Sequence, residues 1–284
     1  MTTEARNAED YSPRQTEAAH RVLIDLGQIL ASFADCLVLV GGWTPEVGGW
    51  TPDLLLRDAS EAHVGSLDVD LALDVDRLRE GRYAELLNLL LGTGRYQTGA
   101  KPFQLVAEVD LGDGDSPIVV EVEFLAPDDV VLEKHSPKLV EEFRVLQVPS
   151  ARSAFHSPVD VQLAGPNVRG VNNTVTMRVV SIADFLVMKA HAIGGRDKPK
   201  DSYDLCYCLD HFPGGMGALA QIWKQRVDDE FVVKAIHILR RKFAAVDTFG
   251  PQQVVEFHAS NVPEIREMQA RRAYELVREF LEKL

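Results

Sequence analysis

From Ser181 to Leu284, nearly every segment has apolar residues recurring at three- and four-residue spacing, broken at Gly194-Gly195, Pro213-Gly214-Gly215 and Gly250-Pro251. Stripes of that kind must bury against one another, so this part of the chain is expected to be helical throughout. The pattern before Ser181 is different. Ser12-Pro13 reads as the N-cap and first-turn proline of a helix whose apolar stripe is Val22, Leu23, Leu26, Ile29, Leu30 and Phe33. β-like runs follow at Cys36 to Val40 and Leu67 to Leu73, with a helix over about Arg77 to Leu91. Phe103 to Val109 and Ile118 to Leu125, joined by Gly-Asp turn residues, read as a hairpin. The stretch from Ala126 to Asn173 is mixed and specifies no element. Val175 to Val180 reads as a short strand leading into Ser181, a good N-cap. Strands with interleaved helices followed by an all-helical part predict an α/β or α+β domain over residues 1–180 and a helical domain over 181–284.

Composition narrows the setting. The 284 residues carry a net charge of −13, which disfavours a general nucleic-acid binder but leaves room for local basic clusters such as Arg196, Lys198 and Lys200. No apolar stretch approaches the roughly 20 residues a membrane helix needs. Met1 to Asp10 is polar and acidic and lacks a signal core. Cys36, Cys206 and Cys208 offer no second pair for a zinc site, so a reduced, cytoplasmic protein without disulfides is expected.

A tandem duplication follows the first β-like run. Val40-Gly-Gly-Trp-Thr-Pro-Glu46 is repeated almost unchanged as Val47-Gly-Gly-Trp-Thr-Pro-Asp53. Two copies of seven residues do not make a repeat architecture.

The chemistry concentrates in His63-Val-Gly65-Ser66-Leu-Asp68-Val-Asp70-Leu-Ala-Leu73. On a strand, Asp68 and Asp70 share one face while Val69, Leu71 and Leu73 fill the other. Adjacent carboxylates repel unless a cation bridges them, so the pair suits hard divalent metals. Three features strengthen that reading. Gly65-Ser66 permits a close approach of backbone to phosphate. The upstream run ends in Gly41-Gly42, a turn whose N–H groups can cradle an anion. Glu121 and Glu123 alternate on a neighbouring strand candidate and can supply a third ligand. Lys189 lies beside the apolar stripe of the helix that starts at Ser181, where its ammonium needs a counter-charge such as a triphosphate or Asp204. Arg196 follows two turns on. His63, Asp74 and Asp76 read as loop or surface residues, and Asp201 as a helix cap. Tyr96, Lys101 and Phe103 are further candidates to border a ligand, which their spacing alone does not demand.

Together these motifs resemble the nucleotidyltransferase superfamily that includes DNA polymerase beta, with Gly-Gly or Gly-Ser, then D-x-D, then a distant acidic residue. The closer resemblance is to the AbiEii-like nucleotidyltransferase toxins of type IV toxin–antitoxin systems. Their Gly-Gly, Ser-x-Asp-x-Asp and helical Lys-x-x-Ala…Arg…Lys-Asp-x-x-Asp-Leu are matched here by Gly41-Gly42, Ser66 to Asp70, Lys189-Ala190-His191-Ala192, Arg196 and Lys200 to Leu205. Gly48-Gly49 has the more family-like distance to Asp68, whereas Gly41-Gly42 follows the strand directly and is taken as the nucleotide-binding pair.

The resemblance implies an α+β fold, a nucleotidyltransferase-like mixed sheet with flanking helices followed by a helical domain. It also implies two Mg²⁺ ions held by Asp68, Asp70 and Glu123, with an NTP as donor. Gly41, Gly42, Ser66, Lys189 and Arg196 would bind the nucleotide, and Lys189 and Asp204 would join the catalytic set. The implied acceptor is RNA, especially tRNA 3′ ends, and the implied partner a cognate antitoxin. Two alternatives are a small-molecule or protein acceptor, and a non-catalytic nucleotide-binding regulatory module.

Overall fold

A computed structural model describes residues 5–43, 63–74, 77–78, 82–128 and 145–284 of the chain. The second copy of the duplicated block and Asp76 lie outside these residues. The described part falls into two compact units. One holds residues of Ser12–Thr51 and Gly65–Ser181, the other residues of Met1–Tyr11, Pro52–Val64 and Ile182–Leu284.

The first unit is built on a mixed sheet. Its strands are β1 (Leu37–Val40), β2 (Val69–Leu73), β3 (Tyr96–Thr98), β4 (Gln104–Val109), β5 (Ile118–Ala126), β6 (Leu146–Gln147), β7 (Val159–Pro166) and β8 (Asn172–Val179). Among the described residues the spatial order is β3-β4-β5-β2-β1-β8-β7, with β6 added to β5. β1 is four aliphatic residues, all buried, which suits its place between β2 and β8. β2 runs antiparallel to β1 and parallel to β5, while β4 and β5 form the hairpin that their alternation predicts.

One face of this sheet is the core. Leu37 and Leu39 of β1, Val69, Leu71 and Leu73 of β2, and Val120, Val122 and Phe124 of β5 bury there with Ala19, Val22, Leu23 and Leu26 of helix α1 (Pro13–Ile29). Ser12 caps α1 through a reciprocal box with Gln15, and Pro13 sits in its first turn, as the sequence requires. Asp25 of α1 is fully buried in this layer and accepts a hydrogen bond of 2.9 Å from Tyr96 Oη, with Arg95 beside it. Tyr96 therefore belongs to the core. Because side chains alternate, Asp70 and Glu123 project from the face opposite the core.

Two stretches differ from expectation. The helix anticipated from about Arg77 is α2, Arg82–Gly92. The unassigned segment after Ala126 contains β7, which pairs with β8 along eight residues. Val159, Val161 and Leu163 of β7 alternate with Asp160 and Gln162, a period-two signal that is easily passed over because Gly165-Pro166 follows at once and the run stands in a Pro- and Ser-rich stretch.

The second unit contains α3 (Ile182–Gly195), α4 (Pro199–His211), α5 (Gly215–Lys224), α6 (Glu230–Lys242), α7 (Phe249–His258) and α8 (Pro263–Glu282). Gly194-Gly195 ends α3 and Pro213-Gly214-Gly215 lies at the α4–α5 break, as expected, whereas Gly250-Pro251 falls in the first turn of α7 and the breaks at 225–229 and 259–262 were not anticipated. Cys206 and Cys208 of α4 are buried free thiols, as is Cys36 in the sheet unit. No helix among the described residues is long and apolar enough to cross a membrane.

Candidate functional site

The sheet places Asp70 at the centre of an acidic face. Its Cα partners are Val40 on β1 and Glu123 on β5, so Asp70 and Glu123 are neighbours across a parallel pair. Asp68 precedes β2 by one residue and is held on both its side chain and its backbone. Ser66 Oγ donates to Asp68 Oδ1 at 2.6 Å, and the indole Nε1 of buried Trp43 donates to the Asp68 carbonyl at 2.7 Å. Trp43 was not anticipated as part of the site. Its signal is its place directly after Gly41-Gly42, one residue beyond the turn.

The turn itself is tied to the acid pair. Gly41 has φ +74°, and a Cβ there would run into the Asp70 carboxylate. Glycine is thus required twice over, by backbone conformation and by the close approach of Asp70. Gly41 of the first duplicated copy lies beside Asp70, and the second copy lies outside the described residues.

Glu121 and Glu123 both project to the acidic face, and β4 holds them there. Gln104, paired with Glu123 in the β4–β5 register and 2% exposed, directs its Nε2 to Glu121 Oε2 at 2.7 Å and to Glu123 Oε1 at 3.1 Å. Lys101 Nζ lies 2.7 Å from Glu123 Oε1 and 3.8 Å from Glu121 Oε2. Burial lowers the Lys101 pKa, but Glu123, then Glu121 and Asp68, outweigh it and hold the ammonium above its usual range. The donor set is therefore hard carboxylate oxygen with an ammonium already seated on it, which fits Mg²⁺ better than a soft metal. Among the described residues no three His, Cys, Asp or Glu side chains already stand as a ready metal cluster.

The helical unit carries a second charged group. Lys189 Nζ sits 2.7 Å from both Asp201 Oδ1 and Asp204 Oδ2, and Lys200 Nζ is 2.8 Å from Asp204 Oδ1. Arg196 reaches Asp201 from outside at 2.7 Å. Lys189 is buried, so it does not snorkel to solvent, and its counter-charge comes from α4. Burial disfavours its ammonium, yet two carboxylates raise its pKa above the usual lysine range. Lys200, equally buried but facing one carboxylate and the Lys189 ammonium, is shifted down instead. Burial opposes the charge on Asp201, and Lys189 and Arg196 nonetheless pull its pKa to about 2. Asp201 is thus an ion-pair centre, which corrects its reading as a helix cap.

His63 is a further correction. Its side chain is 2% exposed and stacks on Tyr203, and its Nε2 lies 2.9 Å from Asp204 Oδ1. Because the carboxylate only accepts, Nε2 carries the proton. Neither composition nor spacing distinguishes this histidine from a loop residue. Its burial depends on α4, more than a hundred residues away in sequence. Asp74 makes a local pair with Arg77 at 3.2 Å, in keeping with its reading as a loop residue.

Gly94 also has positive φ, +69°, but nothing lies within 4 Å of a Cβ built there. Gly94→Ala should lower stability by about 1 kcal/mol of backbone strain alone. Gly41→Ala should lose clearly more, because it must also displace Asp70. Equal melting temperatures for the two variants would show that the Asp70 approach imposes no constraint.

His63 supplies a pH test. Burial, then the Lys200 ammonium, push its pKa from 6.5 to about 4, against the pull of Asp204. Between those values the unfolded chain binds a proton that the folded chain refuses. Stability should therefore fall as pH drops through that window, by up to ~3 kcal/mol. His63→Gln should flatten the melting curve against pH there. Parallel pH profiles for wild type and variant would contradict this.

The family model described as nucleotidyl transferase AbiEii toxin, type IV TA system, matches residues 61–282. No match was found among curated proteins. The match covers the acidic strands as well as the helical Lys-Arg-Asp motif, and the chain belongs to the AbiEii family of nucleotidyltransferase toxins of type IV toxin–antitoxin systems.

Proposed function

We propose that this nucleotidyltransferase transfers NMP from an NTP to an acceptor hydroxyl of RNA, the tRNA 3′ end in particular. The observation that carries this reading is the acidic face, where Asp70 and Glu123 are register partners and Asp68 is fixed beside them by Ser66 and Trp43. Asp68, Asp70 and Glu123 would hold Mg²⁺, two ions in all. When bound, Mg²⁺ supplies Lewis-acid neutralisation of the polyphosphate and lowers the pKa of the acceptor hydroxyl.

The chain's own residues do the rest. Gly41 and Gly42 offer backbone N–H groups to the triphosphate, and Ser66, whose single O–H braces Asp68 in the free protein, would turn that donor to a phosphate oxygen when the nucleotide binds. The acceptor oxygen bonds to the α-phosphorus, the α–β bridging bond breaks, and pyrophosphate leaves with that electron pair. The acceptor proton passes to solvent. Lys189 and Arg196 are assigned to offset the nucleotide's charge, and Asp204 to hold Lys189 in place. What supports this is the motif itself, in which Lys189 and Arg196 converge on Asp201, and Lys189 is also held by Asp204. Family membership implies a cognate antitoxin, which we propose as the physiological partner, with the cytoplasm as the setting.

The net charge of −13 favours a second reading of the acceptor, a small molecule or protein hydroxyl without a long phosphate backbone. Incubation with Mg²⁺, each α-labelled NTP, total RNA and total protein separates the two by where the label arrives. Asp70→Asn should abolish transfer and leave the melting temperature near that of wild type. Glu123→Gln should be severely impaired and Glu121→Gln mildly, because Glu123 is the register partner of Asp70. Near wild-type transfer by Asp70→Asn, or the reverse order of the two glutamates, would refute the assignment.

A further inference from the structure

The acidic face contains two donors to Glu123 of unlike character. Gln104 is buried, and a Cβ on Gly99 would press on its amide oxygen, so its position is set by packing. It gives N–H bonds to both glutamates and adds no charge. Lys101 is different. Its stem projects from the β3–β4 connection near the Phe103 ring, 5.8 Å from Nζ to the centroid, and its side chain is 51% exposed. Glu123, by contrast, is 13% exposed. The only positive charge within ion-pair reach of Glu123 among the described residues is thus the one on the longest and most exposed tether.

We propose that Lys101 is a resident counter-ion that holds Glu123 on the sheet and gives it up to an incoming divalent cation. The inference rests on the reading of Asp68, Asp70 and Glu123 as metal ligands. The amide of Gln104 keeps Glu123 in place during the exchange, since it does not depend on charge. A divalent cation then competes with an ammonium for the same oxygen, so the free protein binds metal more weakly than its carboxylates alone would. Hard cations win because they offer twice the charge at shorter range. Lys101 is on this account a positioning residue, acting through Glu123.

The test is Mn²⁺ binding, followed by electron paramagnetic resonance of the free ion without nucleotide. Lys101→Met removes the charge and keeps the stem over Phe103. It should bind Mn²⁺ up to about fivefold more tightly than wild type, the equivalent of ~1 kcal/mol, as suits a half-exposed ion pair. Lys101→Arg keeps the charge and should stay within a factor of two of wild type. Thermal melting of each variant confirms that the fold is retained. If Asp70→Asn abolishes binding but Lys101→Met binds no more tightly than wild type, the counter-ion role is wrong and the metal site stands. If no protein shows binding that depends on Asp70, the metal-site reading falls and the counter-ion role with it.

Discussion

Four carboxylates on one face of a three-strand segment must be kept apart or compensated before anything else in this unit can settle. Two unit charges about 4 Å apart repel by roughly 4 kcal/mol even at an effective dielectric of about 20. The local structure answers that repulsion piece by piece. Ser66 donates to Asp68, Gln104 spans Glu121 and Glu123, and Lys101 brings a full positive charge to Glu123. Gly41 lets the backbone of the preceding turn come up against Asp70, and Trp43 fixes the Asp68 carbonyl from below. These contacts hold because the other face of the same strands is locked into a continuous apolar core with α1. A strand that slipped by one residue would drive Asp70 and Glu123 into that core, so the register itself is enforced by the cost of burying charge.

The helical unit solves the same problem with burial instead of exposure. Lys189 and Lys200 are taken out of water and given Asp201 and Asp204 in return, and neutral His63 completes the second carboxylate. Such a group does not add much net stability, but it cannot lose a member cheaply, since removal strands the partner charge. Arg196 is the exception, with a side chain 54% exposed, and it is the member best able to answer a second anion. In both units, then, a compensated set of charges keeps one cation within reach of solvent. That common plan suits a protein that must receive a highly charged nucleotide and release a charged product.

Much of this was legible in the sequence where the signal is local. The alternation of Leu67 to Leu73 and of Ile118 to Leu125 was enough to place the carboxylates on one face, and Gly41-Gly42 to mark the turn. Helix starts at Ser12-Pro13 and Ser181 were readable because caps and first-turn prolines act within four residues. What stayed hidden depends on distant partners. The burial of His63 is made by Tyr203 and Asp204, and the ion-pair role of Asp201 needs Lys189 on another helix. Gln104 is an ordinary strand residue until β5 is laid beside it in register. β7 was missed for a different reason, because its short alternation of Val159, Val161 and Leu163 with Asp160 and Gln162 runs straight into Gly165-Pro166 within a stretch rich in turn residues. The duplicated block was legible as a repeat, yet the close approach of Gly41 to Asp70 depends on the pairing of β1 with β2.

The central claim is that the acidic face handles the α-phosphate of a nucleoside triphosphate. Parallel reactions with α-labelled and γ-labelled NTP, in the presence of Mg²⁺ and total RNA, test it most directly. The account predicts label on the acceptor from the α position alone, with the γ label recovered in pyrophosphate. Transfer of the γ label to any acceptor would mean phosphoryl rather than nucleotidyl transfer, and would contradict the account.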